Sequence, residues 1–392
     1  GHRGIRRRPP ALRRLSLAAV SSGPGLRAGV RRPADYQLEL ECLRGWAITL
    51  VFLFHAWGIS VGGGASGPVP PWLAFVVAGN TGVTLFFVLS GFLLSRPWLR
   101  SLQGKRPPPD TRNYLLARAL RILPLYYLAV AVAMLATGEP GRVLPALWFR
   151  FIGFDVFPWS VVWWTLITEV QFYLALPLAG WLACRGPGGR RLLLVLLLAW
   201  LIAYALLVIA GGQERGFLLT KSLFARLPAF LLGAAAAWLS LHGTWLARTP
   251  AWQRLAGILL CLGLLAFLLR AVAVVGDRAA EQGWQHLHHT LEAGLWAALL
   301  LLLLGGSFPG RALAVNRPLA WIGKLSYSIY LNHVPILFYL IYPAKAGVEN
   351  YAGSLAAWGW PLLGAALSLA LAAVTWRLVE LPFLNLKGRL SR

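Results

Sequence analysis

The sequence has 392 residues, of which 58% are hydrophobic and only 13% charged, and 37 Lys and Arg face 13 Asp and Glu for a formal net charge of +24. Several apolar runs reach the ~20 residues that cross a ~30 Å hydrocarbon core, so the composition is that of a membrane protein. The basic excess does not point to nucleic acid, because the arginines are spread over loops beside apolar spans without a zinc-finger or other nucleic-acid motif, and three cysteines without metal-like spacing imply neither a disulfide framework nor a metal site.

Residues 1–35 are rich in Arg, Pro, Gly and Ser and predict a basic, disordered cytoplasmic leader against lipid headgroups. Ten spans follow, near 43–60, 72–95, 114–136, 160–183, 191–210, 222–241, 252–275, 288–305, 322–342 and 355–378, within a membrane domain of residues 36–386 and ahead of a short tail, 387–392. The expected fold is therefore all-α and polytopic, with about ten transmembrane helices. With the N-terminus inside, loops assigned to the cytoplasm hold seventeen Lys and Arg after the first span and outer loops hold seven, which places both termini in the cytoplasm. Chemistry is then expected from the membrane part itself.

In the first span, RGWAITLVFLFH carries Arg44 and His55 with no other ionisable group between them. Eleven residues of helix make about three turns, so both side chains fall on one face roughly 16 Å apart along the axis. Intramembrane charges are costly and face a protein interior or a watery cavity. Snorkelling to the interface accounts for Arg44 as well as function does, but the His55 imidazole is too short to snorkel, and near neutrality it can take and return a hydroxyl proton. The second span, GVTLFFVLSGFLL, reads as a close-packing surface on which Asn80 and Ser90 can donate bonds across the interface.

In the third span, Arg118 and Arg121 of RALRILPLYY share a face at i, i+3. With Arg44, Lys105, Arg106 and Arg112 they fit a basic mouth for phosphates, which guanidinium groups grip bidentately, although positive-inside anchoring accounts for the loop residues equally well. In the fourth, Glu169 is expected about 14 Å below the outer surface, matching a depth of about 12 Å for His55. That is the arrangement of a base oriented by an acid, with a structural Glu bonded to Tyr or Trp as the alternative. The ninth span, IGKLSYSIYLNHVPILFYL, places Tyr327, Tyr330, Asn332 and His333 among two serines, which suits either an interhelical polar seam or the lining of a substrate cavity. His242, His286, His288 and His289 lie near loop ends and are assigned no role.

No Walker loop, dinucleotide fingerprint or HExxH is present. In the order ECLRGWAITLVFLFH, GVTLFFVLSGFLL, RALRILPLYY, WSVVWWTLITEVQFYLALP, LSYSIYLNHVP and VELPF, the chain from about residue 36 to 386 resembles the acyltransferase-3 (OafA-like) integral membrane acyltransferases. It reads as the form without the soluble hydrolase-like domain that many of them carry. The resemblance implies a catalytic histidine at His55 within an Arg-x10-His pair, an acyl-CoA site at Arg118 and Arg121, and a family glutamate at Glu169. The usual acidic residue opening the first motif is here Glu41 rather than Asp, next to Cys42.

The function expected is an O-acyltransferase that uses acyl-CoA, chiefly acetyl-CoA, as co-substrate, without a metal or resident cofactor. The acceptor expected is a sugar hydroxyl on a lipid-linked or exported glycan, or else a glycosylated small metabolite such as a macrolide. A proton-coupled exporter is the competing class, since ten helices with buried His, Glu and Arg suit a proton path. The two halves show no convincing self-similarity of the kind transporters carry.

Overall fold

A computed structural model describes residue 1 and residues 38–61, 73–210, 217–243, 248–275, 284–348 and 354–390. Residues 2–35 of the predicted leader lie outside them, and the described helices belong to the unit Gln37–Arg392. The long helices are α1 (Leu38–Val61), α2 (Thr81–Leu102), α3 (Thr111–Thr137), α4 (Trp163–Cys184), α5 (Pro187–Ala210), α6 (Leu223–His242), α7 (Ala251–Val275), α8 (Trp284–Leu304), α9 (Ser326–Ala346) and α10 (Ala356–Thr375). A π-helical turn, Trp376–Glu380, carries α10 into α11 (Leu381–Leu390). Among the described residues there is no strand, and eight helices are long and apolar enough to cross a membrane. The chain is an all-α, multi-pass membrane protein.

The two expected spans outside those eight are α8 and α9, each a 21-residue helix. In α9 the Tyr, Ser, Asn and His side chains dilute the apolar character, and most of them are buried against neighbouring helices rather than turned to lipid. The second predicted span, 72–95, is divided: a short turn of helix at Ala74–Val77 precedes α2, which runs on through Pro97 to Leu102. The ninth is divided too, by Leu325, which separates the short helix Arg317–Lys324 from α9.

Local signals set several boundaries. The Asp110 carboxylate accepts from the Arg112 and Asn113 backbone N–H groups and starts α3, and Gly138, at φ 66°, closes it in a left-handed conformation open to glycine without strain. Ser222 starts α6 in the same manner as Asp110 starts α3. Pro97, Pro124, Pro177, Pro228 and Pro335 lie inside helices, which membrane helices tolerate because neighbours re-satisfy the freed backbone groups.

Helix α2 is the hub, packing chiefly on α6 and also on α1, α4 and α8. The approach is closest at two glycines that face each other's backbones. A Cβ on Gly91 would run into the Phe230 carbonyl, and one on Gly233 into the Val88 carbonyl. The small residues of α2 thus do what their composition predicts. A second close crossing joins α1 to Arg317–Lys324, where Gly323 lies on the Glu41 carbonyl and Gly45 on that of Leu319. Helix α5 lies at the periphery, with Leu192, Leu194, Leu198, Leu201 and Leu206 exposed as a lipid-facing surface.

Replacing Gly91 or Gly233 by Ala should therefore lower stability by about 1–3 kcal/mol through overpacking, read as a lower Tm in detergent. Gly263→Ala is the control: it is expected to leave Tm unchanged or slightly raised, since a Cβ there meets open space.

Candidate active site

Helices α1, α2, α3, α4 and α9, with Leu384 of α11, line an open cavity of about 700 Å³. It begins beside Pro109, Asp110 and Asn113, at the start of α3, and is lined deeper by Tyr114, Arg118, Arg121, Arg44, Ser90, Glu169, Tyr173 and Tyr327. A smaller space of about 60 Å³ adjoins it, sharing Arg44, Phe86, Glu169 and Tyr327, and extends to Thr165 and Tyr330. Of the residues expected from sequence, Arg44, Arg118, Arg121, Glu169, Tyr327 and Tyr330 are thus brought together.

Each of these side chains has a defined setting. Glu169 accepts from the Ser90 hydroxyl at 3.1 Å and from the Tyr173 hydroxyl at 2.8 Å. Tyr327 donates to the Ile122 carbonyl at 2.8 Å. Tyr330 donates to the Val162 carbonyl at 3.0 Å and accepts from Thr165 at 2.7 Å, which ties α9 to the start of α4. The two arginines of α3 differ. Arg121 is ion-paired with Glu380 of the π-helical turn at 3.1 Å, and Glu380 also accepts from Ser328. Arg118 lies over the Tyr173 ring at 6.0 Å and its buried Nε has no hydrogen-bond partner. The stronger unmet capacity for an anion is therefore at Arg118.

The expected pairing of His55 with Glu169 is not what the structure contains. His55 Nδ1 lies 3.1 Å from His333 Nε2 and 2.9 Å from the Val51 carbonyl, whereas Glu169 shares its cavity with Arg44 at the opposite end of the Arg44–His55 face. Depths counted inward from the ends of apolar runs do not fix how one helix slides against another, and a 3₁₀ turn, Ser160–Val162, precedes α4 and further offsets the count. Asn332 and His333 also depart from the expected lining. Asn332 donates to the Ser368 carbonyl of α10 at 3.4 Å, and His333 is fully buried against His55.

Glu380, Tyr173 and Thr165 are members of the site that were not expected from sequence. Glu380 had a signal, an acid in the otherwise apolar VELPF at the end of the last span, but nothing in the sequence shows that its partner is 259 positions away on α3. Away from the cavity, His288, His289 and Glu292 of α8 form the one group among the described residues whose donor atoms suit a metal by spacing, all within 4.8 Å. His289 Nδ1 lies 3.2 Å from Glu292 Oε2.

The fold and this cavity define a class: a multi-pass helical membrane protein whose polar and cationic side chains converge inside the bundle. The family described as an acyltransferase domain, acyltransferase-3, matches residues 37–377, and the chain belongs to it. It is similar to nodulation protein 10 of Rhizobium leguminosarum bv. viciae, at 25% identity over 91% of this chain and 96% of that protein. It is also similar to the O-acetyltransferase OatA of Staphylococcus aureus (strain NCTC 8325 / PS 47), at 23% identity over 88% of this chain. This chain spans 57% of the length of OatA. No solved structure matches it.

Removing Glu380 tests the ion pair. Glu380→Ala leaves the Arg121 guanidinium without its carboxylate and should cost roughly 3 kcal/mol, the lower end for a broken buried pair because Arg121 borders the cavity. Glu380→Gln, which can still accept from Ser328, should lower the Tm in detergent by less.

Proposed function

We propose that this acyltransferase moves an acetyl group from acetyl-CoA to a sugar hydroxyl of a lipid-linked or exported glycan. The observation that carries the reading is a polar cavity in an apolar bundle with Arg118, Arg121 and Arg44 on its wall, adjoined by a smaller space that extends to Tyr330, one helical turn from His333. A CoA donor enters from the cytoplasmic side, in line with the Lys and Arg distribution, and its phosphates meet the arginines. Arg118 takes the larger share because Arg121 is already neutralised by Glu380.

His55 acts as the general base. It takes the proton of the acceptor hydroxyl as that oxygen attacks the thioester carbonyl carbon, the carbon–sulfur bond breaks, and the departing thiolate recovers the proton from the imidazole. Glu169, held by Ser90 and Tyr173, serves the donor or acceptor inside the cavity rather than His55. Transfer to oxygen is supported by the name O-acetyltransferase carried by one relative. The sugar acceptor rests on the family resemblance, and a glycosylated small molecule is the alternative that the same cavity admits.

Thiol release from acetyl-CoA by the purified protein in dodecyl maltoside, whose maltosyl hydroxyls act as the acceptor probe, tests this reading. His55→Ala is expected to lower kcat by about 10²–10⁴-fold, the range of a lost general base. Arg118→Ala is expected to raise the KM for acetyl-CoA about ten- to hundredfold, the loss of a charge-assisted bond, with the larger part of kcat retained. A folded His55→Ala protein with wild-type turnover would sink the scheme, and substrate export without thiol release would replace it with a transporter.

A further inference from the structure

We infer that His333 is the positioning residue for His55: a neutral imidazole, in the place a carboxylate usually occupies, that holds His55 in the tautomer with an unprotonated Nε2. The inference rests on the reading of His55 as the base.

Carbonyl oxygens only accept, and this fixes the protons. His333 Nδ1 lies 2.9 Å from both the Ile329 and the Tyr330 carbonyls, so in the neutral ring Nδ1 carries the hydrogen and Nε2 keeps its lone pair. That lone pair faces His55 Nδ1 at 3.1 Å, and His55 Nδ1 also faces the Val51 carbonyl at 2.9 Å. Two acceptors around one nitrogen require it to be the N–H. The remaining nitrogen of His55, Nε2, is then the free base. The reverse assignment, with His333 donating to His55, sets unprotonated nitrogens against three carbonyl oxygens at 2.9 Å, which is repulsive.

The surroundings keep this arrangement in one geometry. His333 has no solvent exposure, the two imidazole centroids are 5.0 Å apart at 65°, and Phe52 lies against His333 at 6.3 Å. Among the described residues no carboxylate is bonded to either imidazole. In an apolar bundle a charged carboxylate at this depth is costly to bury, whereas an imidazole acceptor performs the tautomer-setting role without net charge. During transfer Nε2 of His55 gains the acceptor's proton, the positive charge is shared with the Val51 carbonyl and the His333 lone pair, and the proton returns to the leaving thiolate. His333 ends unchanged.

Two measurements separate this from a packing role and from failure of the base assignment. In the thiol-release assay, His333→Gln places an amide oxygen near the lost Nε2, while His333→Asn replaces only the Nδ1 end. We expect Asn to lower kcat by about 10²-fold or more with the acetyl-CoA KM within about threefold, and Gln to recover at least a tenth of wild-type kcat. Equal turnover by folded Gln and Asn variants overturns the inference. In parallel, ¹⁵N spectra of protein with ring-labelled histidine, with His55 identified by its loss in His55→Ala, should show His55 protonated at Nδ1 in the wild type and lose that preference in His333→Asn. A His55 ring protonated at Nε2 in the wild type overturns the inference whether or not acetyl-CoA is turned over. Wild-type turnover in His55→Ala instead removes the base assignment beneath it.

Discussion

The rest of this structure depends on the cost of placing polar and charged groups where lipid cannot solvate them. Several ionisable side chains inside the described bundle answer that cost with a named internal partner. Glu380 holds Arg121 and Ser328, Glu169 is held by Ser90 and Tyr173, His55 and His333 hold each other, and Arg254 caps the carbonyls of Gly305 and Ser307 past the end of α8. These contacts join helices far apart in the chain, so the same constraint that satisfies the groups also specifies the packing.

Close backbone contact lets the partners meet. Glycine-to-carbonyl crossings draw α6 onto α2, and Arg317–Lys324 onto α1, which sets α2 and α1 at fixed depths against their neighbours. Ser90 then stands opposite Glu169, and His55 opposite His333. Helices outside this inner set, such as α5 with its exposed leucines, contribute apolar surface and little polar contact.

One consequence is a division of labour between the arginines of α3. Their i, i+3 spacing makes them look equivalent, yet Arg121 is committed to the π-helical turn and Arg118 is left with a buried Nε that has no partner. The ion pair with Glu380 makes Arg121 part of the cavity wall, fastening α3 to the end of α10, while Arg118 keeps its capacity for an incoming anion. The adjoining space beyond Glu169 is much smaller and extends to Thr165 and Tyr330.

Composition and spacing by themselves determined that the chain is a multi-pass helical membrane protein, where nine of its ten long helices lie to within several residues, that Arg44 and His55 share a face of α1, and that Arg118 and Arg121 share one of α3. These are local properties, dictated by the 1.5 Å rise and 3.6-residue turn of a single helix and by the exclusion of charge from hydrocarbon. What only the tertiary structure decided is who meets whom. His333 rather than Glu169 adjoins His55, Glu380 neutralises Arg121, and Asn332 turns to α10, because the sliding and rotation of one helix against another come from interhelical packing that no single segment encodes.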